Sequence, residues 1–211
     1  MKLECVITLA NKVVELPFRA LERSLRASGC TLPLYVIPYN DNRFELPKNS
    51  FWLEDKELFA LLAENSSHPM MRKYACLTRA NYLFVDTDVI FLKNPQRAYA
   101  PYEGFIANCT HWNNPHHTTS EESLRYFKSL STTYQKNLFN AGQFASSMAL
   151  YPDFDALKAA CLTLPHTTLR FPYHDQPGLN YLVAYSRASF TNLTLPPHNF
   201  EGSWAGEYLD K

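Results

Sequence analysis

The sequence predicts an α/β fold, a mostly parallel sheet flanked by helices in a single domain, and three observations carry that prediction. Leu3–Leu9 and Leu34–Ile37 are aliphatic runs of strand length separated by a helical pattern, an opening that prescribes a right-handed crossover and parallel strands. Tyr82–Leu92 is a second apolar stretch, interrupted by Asp86-Thr-Asp88. Phe139-Asn-Ala-Gly142 leads at once into a third, which runs to Leu150.

In the opening unit, Thr8-Leu-Ala-Asn11 is read as the exit loop of the first strand. Pro17 suits a first helical turn, and Phe18, Leu21 and Leu25 share one face at 3.6 spacing. Arg19, Glu22, Arg23 and Arg26 take the opposite side, and Gly29 ends the helix. Pro38 stops the second strand. Arg43–Ser50 reads as irregular, and Glu54–Glu64 as a short helix broken by Asn65-Ser-Ser-His-Pro69. Met70–Arg79 is predicted to be a helix feeding the Asp86 strand. Its Arg72 and Lys73 read either as a solvated face or as a pair of which one reaches a diphosphate.

Tyr82–Leu92 is expected to be a buried strand with β structure continuing past the carboxylates. In extended chain, Asp86 and Asp88 share a face at the strand's carboxyl end, where open α/β sheets bind ligands. Two carboxylates so close repel unless a cation lies between them, and hard oxygen donors suit Mg²⁺ or Mn²⁺. A plain strand-end turn is the competing explanation.

Beyond Pro95, Gly104–Ala107 is a predicted strand. The loop Asn108–Thr119 contains His111, Trp112, His116 and His117, but without zinc-ligand spacing, so a substrate-facing or flexible loop is the better reading. Thr119-x-x-Glu122 signals a capping box for a helix to Leu130. The start Asn140-Ala-Gly142 lets backbone approach a ligand closely. Asp153–Leu162 is an amphipathic helix, Asp175 a candidate N-cap of a helix through Val183, and Leu193-Thr-Leu a strand-like tail segment.

Composition bounds the function. Apolar residues at 46% and aromatics at 14% argue for a folded core rather than disorder. Twenty basic and twenty acidic residues cancel, which speaks against nucleic acid or an anionic membrane as partner. No apolar run spans a bilayer, no secretory signal is evident, and five scattered cysteines lack a CxxC pair. A cytoplasmic protein with reduced, mostly buried thiols is expected. The sequons at Asn65, Asn108 and Asn192 then read as chance matches.

In chain order, four of these stretches resemble the GT-A glycosyltransferases, and within them the retaining galactosyl- and glycogenin-type family 8. Thr8–Ala10, with the helix that ends Glu22-Arg-Ser-Leu25, is similar to the nucleotide-binding opening. Phe84-Val-Asp86-Thr-Asp88-Val-Ile matches the metal-binding DxD strand. Phe139-Asn-Ala-Gly-Gln143 is similar to the family's Asn-x-Gly strand, and His174-Asp175-Gln176-Pro-Gly-Leu-Asn180 to its reaction-centre segment. The family's closing His, Gly and Lys-Pro-Trp element is echoed by His198-Asn-Phe-Glu-Gly202-Ser-Trp204, without the lysine.

This resemblance implies a Rossmann-like GT-A sheet, with a nucleotide- and metal-binding half over 1–107 and an acceptor-side half over 108–211. It implies a metal-dependent, retaining transfer of a sugar from a nucleotide diphosphate, a UDP-sugar, to a small-molecule, glycan or protein acceptor. Asp86, Asp88 and His198 would hold Mn²⁺ or Mg²⁺. Thr8, Leu9, Ala10, Asn11, Arg72, Lys73, Asp86 and Thr87 would surround the donor. Asp175 and Gln176 would lie near the anomeric carbon, and Asn140 would contact sugar or acceptor.

Two other readings compete. A strand ending Asp-x-Asp also marks haloacid-dehalogenase-type phosphatases, with Asp86 as nucleophile, although that strand normally opens such folds and here a full strand–helix–strand unit precedes it. A catalytically degenerate sugar-nucleotide-binding protein is the third possibility.

Overall fold

A computed structural model describes residues 1–65, 68–117, 119–130, 132–163 and 175–202. His174 of the reaction-centre motif and 203–206 of the tail lie outside that set. Seven strands form one mixed sheet: β1 (Cys5–Ala10), β2 (Leu34–Pro38), β3 (Ser50–Trp52), β4 (Tyr82–Val85), β5 (Phe105–Ala107), β6 (Gln143–Ser146) and β7 (Phe190–Asn192). Their order is β3-β2-β1-β4-β6-β5-β7. Only β6 runs against its neighbours; the other pairings are parallel. The expected mixed, mostly parallel α/β sheet in one domain is what forms.

The alternation of strand side chains builds a core on each face of the sheet. From β1, Cys5, Ile7 and Leu9 enter one core and Val6 and Ala10 the other. The second core is closed by α1 (Glu15–Ala27), whose buried residues are Phe18, Leu21 and Leu25. Its outer face carries the i, i+4 pairs Glu15–Arg19 and Glu22–Arg26, and Gly29 leaves the helix with φ +80°, the left-handed exit that glycine permits. A short helix, α3 (Pro95–Tyr99), adds Tyr99 to the same core.

The first core is covered by α2 (Lys56–Asn65), a 3₁₀ segment at Pro69–Thr78, α4 (Glu121–Leu130), α5 (Phe154–Leu162) and α6 (Asp175–Tyr185). Among the described residues no helix is long and apolar enough to cross a membrane. All five cysteines are buried, and none is joined in a disulfide.

Several expectations shift. Residues 69–78 wind as 3₁₀ rather than α helix, with six of the ten side chains buried, so tertiary packing outweighs propensity there. The strand β3 begins at Ser50, the last residue of the stretch read as irregular, and continues over two residues given no element; it is an edge strand of three residues made by pairing with β2. The cap of α4 is Ser120, whose Oγ accepts from Ser123 N–H, not Thr119. The tail strand is Phe190–Asn192, and Leu193–Leu195 has already turned away.

The strand at Tyr82 also stops at Val85 instead of continuing to Leu92. Val89 N–H bonds back to the Asp86 carbonyl at 3.3 Å, which turns the chain at Thr87-Asp88. Val89 and Phe91 then pack beneath α1 while Ile90 and Leu92 face solvent. The Phe91 N–H is taken by Ser24 Oγ at 3.0 Å rather than by a neighbouring strand.

Candidate active site

The central parallel strands β1 and β4 end side by side, and their carboxyl ends form one wall of an open cleft of about 580 Å³. Asp86, Thr87 and Asp88 line it together with Leu9, Asn11, Val13, Val14, Pro17, Tyr39 and Met70. The two carboxylates therefore share a cleft by means of a turn, not by lying on one strand face. No lysine or arginine is among the described residues lining this space.

At the β1 end, Asn11 caps the helical turn Lys12–Val14, its Oδ1 accepting from the N–H groups of Val13 (3.0 Å) and Val14 (3.3 Å). That fixes the amide and leaves its nitrogen, a donor, as the remaining polar group. Thr8 and Ala10 lie in the strand, not in a loop, and are fully buried. The Thr8 hydroxyl meets no hydrogen-bond partner among the described residues. Tyr39 continues from β2, held by its N–H to Ala10 O at 2.9 Å.

Behind the Asp86 wall lies Lys73, with no solvent-accessible side chain. The solvated-face expectation fails for this residue: Met71, Tyr74, Ala75, Cys76 and Leu77 around it are buried as well. Its Nζ stands 2.9 Å from Asp175 Oδ2, 3.2 Å from Ala141 O and 3.5 Å from Asp86 Oδ1, with the Phe84 ring 5.1 Å away. Burial by itself lowers the affinity of the ammonium for its proton, but Asp86 and then Asp175 more than restore it, so its pKa lies above the ordinary lysine value. Burial raises the Asp86 pKa, Lys73 opposes the rise, and Asp175 and Asp88 add to it. The Asp86 carboxylate therefore stands where a further cation would be favourable.

The turn Phe139–Gly142 closes the same site. Asn180 on α6 clamps Phe139 from both sides, accepting its N–H at 3.0 Å and donating to its carbonyl at 2.9 Å. One turn earlier, Gln176 Oε1 accepts from Ala141 N–H at 3.2 Å. Asn140 Oδ1 takes the Gly142 N–H at 2.7 Å, and Asn140 N–H reaches Cys109 Sγ at 3.1 Å. Asp86 N–H donates to Gly142 O at 2.8 Å. Asp175, expected as an N-cap, is instead the first residue of α6: its carboxylate takes Lys73, and its carbonyl takes Tyr74 Oη at 3.0 Å.

Asp86, Asn140, Asp175 and Gln176, from three distant parts of the chain, thus meet through Lys73 and the Phe139–Gly142 turn. Other candidates have partners outside this cluster. Arg72 donates to Pro38 O at 3.0 Å and lies over Phe59. His198 packs edge-on against Tyr102 at 5.4 Å between ring centres, and among the described residues no three His, Cys, Asp or Glu side chains gather as a metal cage. In the loop after β5, His111 is buried, Trp112 Nε1 donates to Thr194 Oγ1 at 2.9 Å, and His116 lies beside Glu121. The cleft residues missed from sequence are Val13, Val14, Pro17, Tyr39 and Met70; only Tyr39, just past the carboxyl end of a predicted strand, carried a usable signal.

No protein-family model and no curated protein matches the sequence. Solved structures do. The chain is similar to the galactosyltransferase LgtC in complex with donor and acceptor sugar analogues, at a TM-score of 0.58 and 18% identity over 85% of this chain and 70% of that one. It is similar to an active-site mutant of LgtC at a TM-score of 0.55 and 16% identity, with the same coverage of each chain. At that identity the likeness establishes the fold, which is the GT-A glycosyltransferase fold.

Proposed function

We propose that this chain is a metal-dependent, retaining glycosyltransferase that moves a sugar from a UDP-sugar to a small-molecule, glycan or protein acceptor. One observation carries the reading above the fold: Asp86 and Asp88 line a cleft whose described walls offer no cationic side chain. A diphosphate entering it would meet two carboxylates, of which Asp86 alone has a cation nearby, the enclosed Lys73 that Asp175 shares. The cleft suits that ligand only together with a divalent cation.

The residues fit such a cation. Mg²⁺ and Mn²⁺ sites of this kind use one or two carboxylates and complete the coordination with substrate phosphate oxygens and water, so a preformed three-residue cage is not required. Asp86 and Asp88 would hold the metal, which when bound neutralises charge on the departing diphosphate as a Lewis acid. His198, beside Tyr102, is proposed as a further ligand on the resemblance alone.

The chain's own residues divide the remaining work. Leu9, Val13, Val14 and Pro17 exclude water from the nucleoside end, Tyr39 offers a ring for a base, and the Asn11 amide offers a donor. Thr8, Ala10 and Thr87 shape the strand ends around it. Asp175 and Gln176 are proposed beside the anomeric carbon, and Asn140, whose own oxygen is engaged by Gly142, would present its amide nitrogen to sugar or acceptor. Five buried thiols outside any disulfide accord with a reducing compartment, and we place the protein in the cytoplasm. A haloacid-dehalogenase reading of Asp86 is less suited, since its strand follows three others in the chain.

Asp88→Asn tests the proposal, because Asp88 is exposed and bears no ladder hydrogen bond. Mn²⁺-dependent hydrolysis of UDP-sugars should fall at least tenfold, with the melting temperature unchanged. Wild-type turnover in that variant, or turnover of phosphate esters in place of UDP-sugars, would end the reading.

A further inference from the structure

We propose that Lys73 is a positioning residue, which sets Asp86 at the metal end and Asp175 at the anomeric end relative to one another and takes no phosphate oxygen. The inference rests on the glycosyltransferase reading and assigns within it how two separate parts of the site are held in register. A lysine ammonium has three hydrogens and no acceptor. Here three acceptors surround it: Asp175 Oδ2 at 2.9 Å, Ala141 O at 3.2 Å and Asp86 Oδ1 at 3.5 Å. Each comes from a different element, namely the start of α6, the Phe139–Gly142 turn and the end of β4. The side chain is wholly buried and is not among the residues that line the cleft, so a diphosphate bound there would not reach Nζ.

Stability alone is a weak reason for such a triad, since buried ion clusters can often be replaced by apolar packing without loss. What the triad does supply is geometry. A metal-bound diphosphate and a sugar's anomeric carbon must be presented at a fixed separation, and displacements near 1 Å are costly to turnover. Tying both carboxylates to one enclosed ammonium fixes that separation. Arginine would not substitute: its planar fork suits a bidentate partner, whereas these acceptors belong to three separate elements.

The test combines Lys73→Met, Lys73→Arg and Asp175→Asn, singly and as Lys73→Met/Asp175→Asn. Calorimetric binding of UDP in Mn²⁺, turnover of UDP-sugar per folded molecule and the melting temperature are read for each. Lys73→Met should lower turnover at least 30-fold with UDP affinity held within threefold, and adding Asp175→Asn should cost no further turnover. Lys73→Arg should fail to rescue. If Lys73→Met does not fold, Lys73→Gln, which keeps two N–H donors, is measured against the same expectations. A tenfold or larger loss of UDP affinity would make Lys73 a phosphate ligand, and unchanged turnover would make it a structural residue; either overturns the inference while leaving the functional reading intact. A wild-type protein that binds no nucleotide diphosphate and turns over no UDP-sugar overturns the functional reading, and this inference with it.

Discussion

Gly142 and the Asp86 carboxylate are packed so closely that a β-carbon on the glycine would stand 2.8 Å from Asp86 Oδ2. It would stand equally close, 2.8 Å, to Asn140 Oδ1. The glycine's φ lies outside the left-handed range, so its role is space rather than backbone freedom, and alanine is conformationally acceptable there. The added methyl group must push the ends of two short side chains, one proposed for the metal and one for the sugar. Gly142→Ala should therefore keep the fold, lose about 1 kcal/mol, and cut metal-dependent turnover at least tenfold. Thermal melting beside a Mn²⁺ titration of activity checks this. Unaltered metal dependence would show that Asp86 has room to spare.

Asn11 offers a cleaner separation of stability from binding. Asparagine and aspartate cap helices about equally well, so Asn11→Asp preserves the acceptor for Val13 and Val14 N–H. It removes the amide donor and places a negative charge next to a diphosphate. The melting temperature should stay within about 2 °C, since a cap retained is worth under 1 kcal/mol of change, while UDP affinity falls tenfold or more. Equal affinity for wild type and variant would remove Asn11 from the nucleotide site.

How far these residues were legible in the sequence depends on how local their causes are. The β1–α1–β2 unit, the Asp153-capped α5 and the glycine exit of α1 follow from periodicity and capping within a dozen residues. Asp86 was identifiable because it ends an apolar run, whereas Asn140, Asp175 and Gln176 became candidates only through the resemblance of their segments to the glycosyltransferase family. The edge strand β3 was not legible, since it exists only through its pairing with β2. The solvated-face reading of Lys73 failed for the same reason: the acceptors that bury it lie 13, 68 and 102 residues further on, at Asp86, Ala141 and Asp175. The end of β4 depended on a turn hydrogen bond between Val89 and Asp86, which apolar patterning does not encode.

Gln176 has two jobs that a single variant can weigh. Its Oε1 satisfies the buried Ala141 N–H, so Gln176→Ala should cost about 1–3 kcal/mol for an orphaned donor, or several degrees of melting temperature. If the residue also stabilises the anomeric centre, turnover per folded molecule should fall roughly 10²-fold with UDP affinity little changed. Calorimetry and single-turnover transfer on the folded fraction separate the two effects. A variant that melts earlier but turns over normally would confine Gln176 to the Phe139–Gly142 clamp.

The buried thiols and phenols predict how stability responds to alkali. Burial pushes Cys5 up to about 11, with Arg79 opposing, and Cys76 and Cys161 up to about 12. Tyr74 and Tyr82 are raised well above the ordinary phenol by burial. In each case the folded state keeps a proton that the unfolded chain releases earlier. The unfolded state then binds fewer protons, so stability falls as pH rises. The loss begins near the ordinary thiol value of 9.0 and continues to about 11 for Cys5 and about 12 for Cys76 and Cys161. Lys73 acts in the same direction once unfolded lysine deprotonates near 10.5, because Asp86 and Asp175 keep its folded pKa above that value despite burial. Each proton is worth about 1.4 kcal/mol per pH unit, so the three thiols together give a slope approaching about 4 kcal/mol per unit above pH 9. Urea midpoints should accordingly be flat from pH 7 to 8.5 and drop steeply by pH 10. In the native protein at pH 8, these three thiols should react with a thiol reagent far more slowly than the same thiols do in urea. A midpoint that holds level through pH 10.5, or rapid native labelling at Cys76, would show that these groups are less enclosed than the core packing requires.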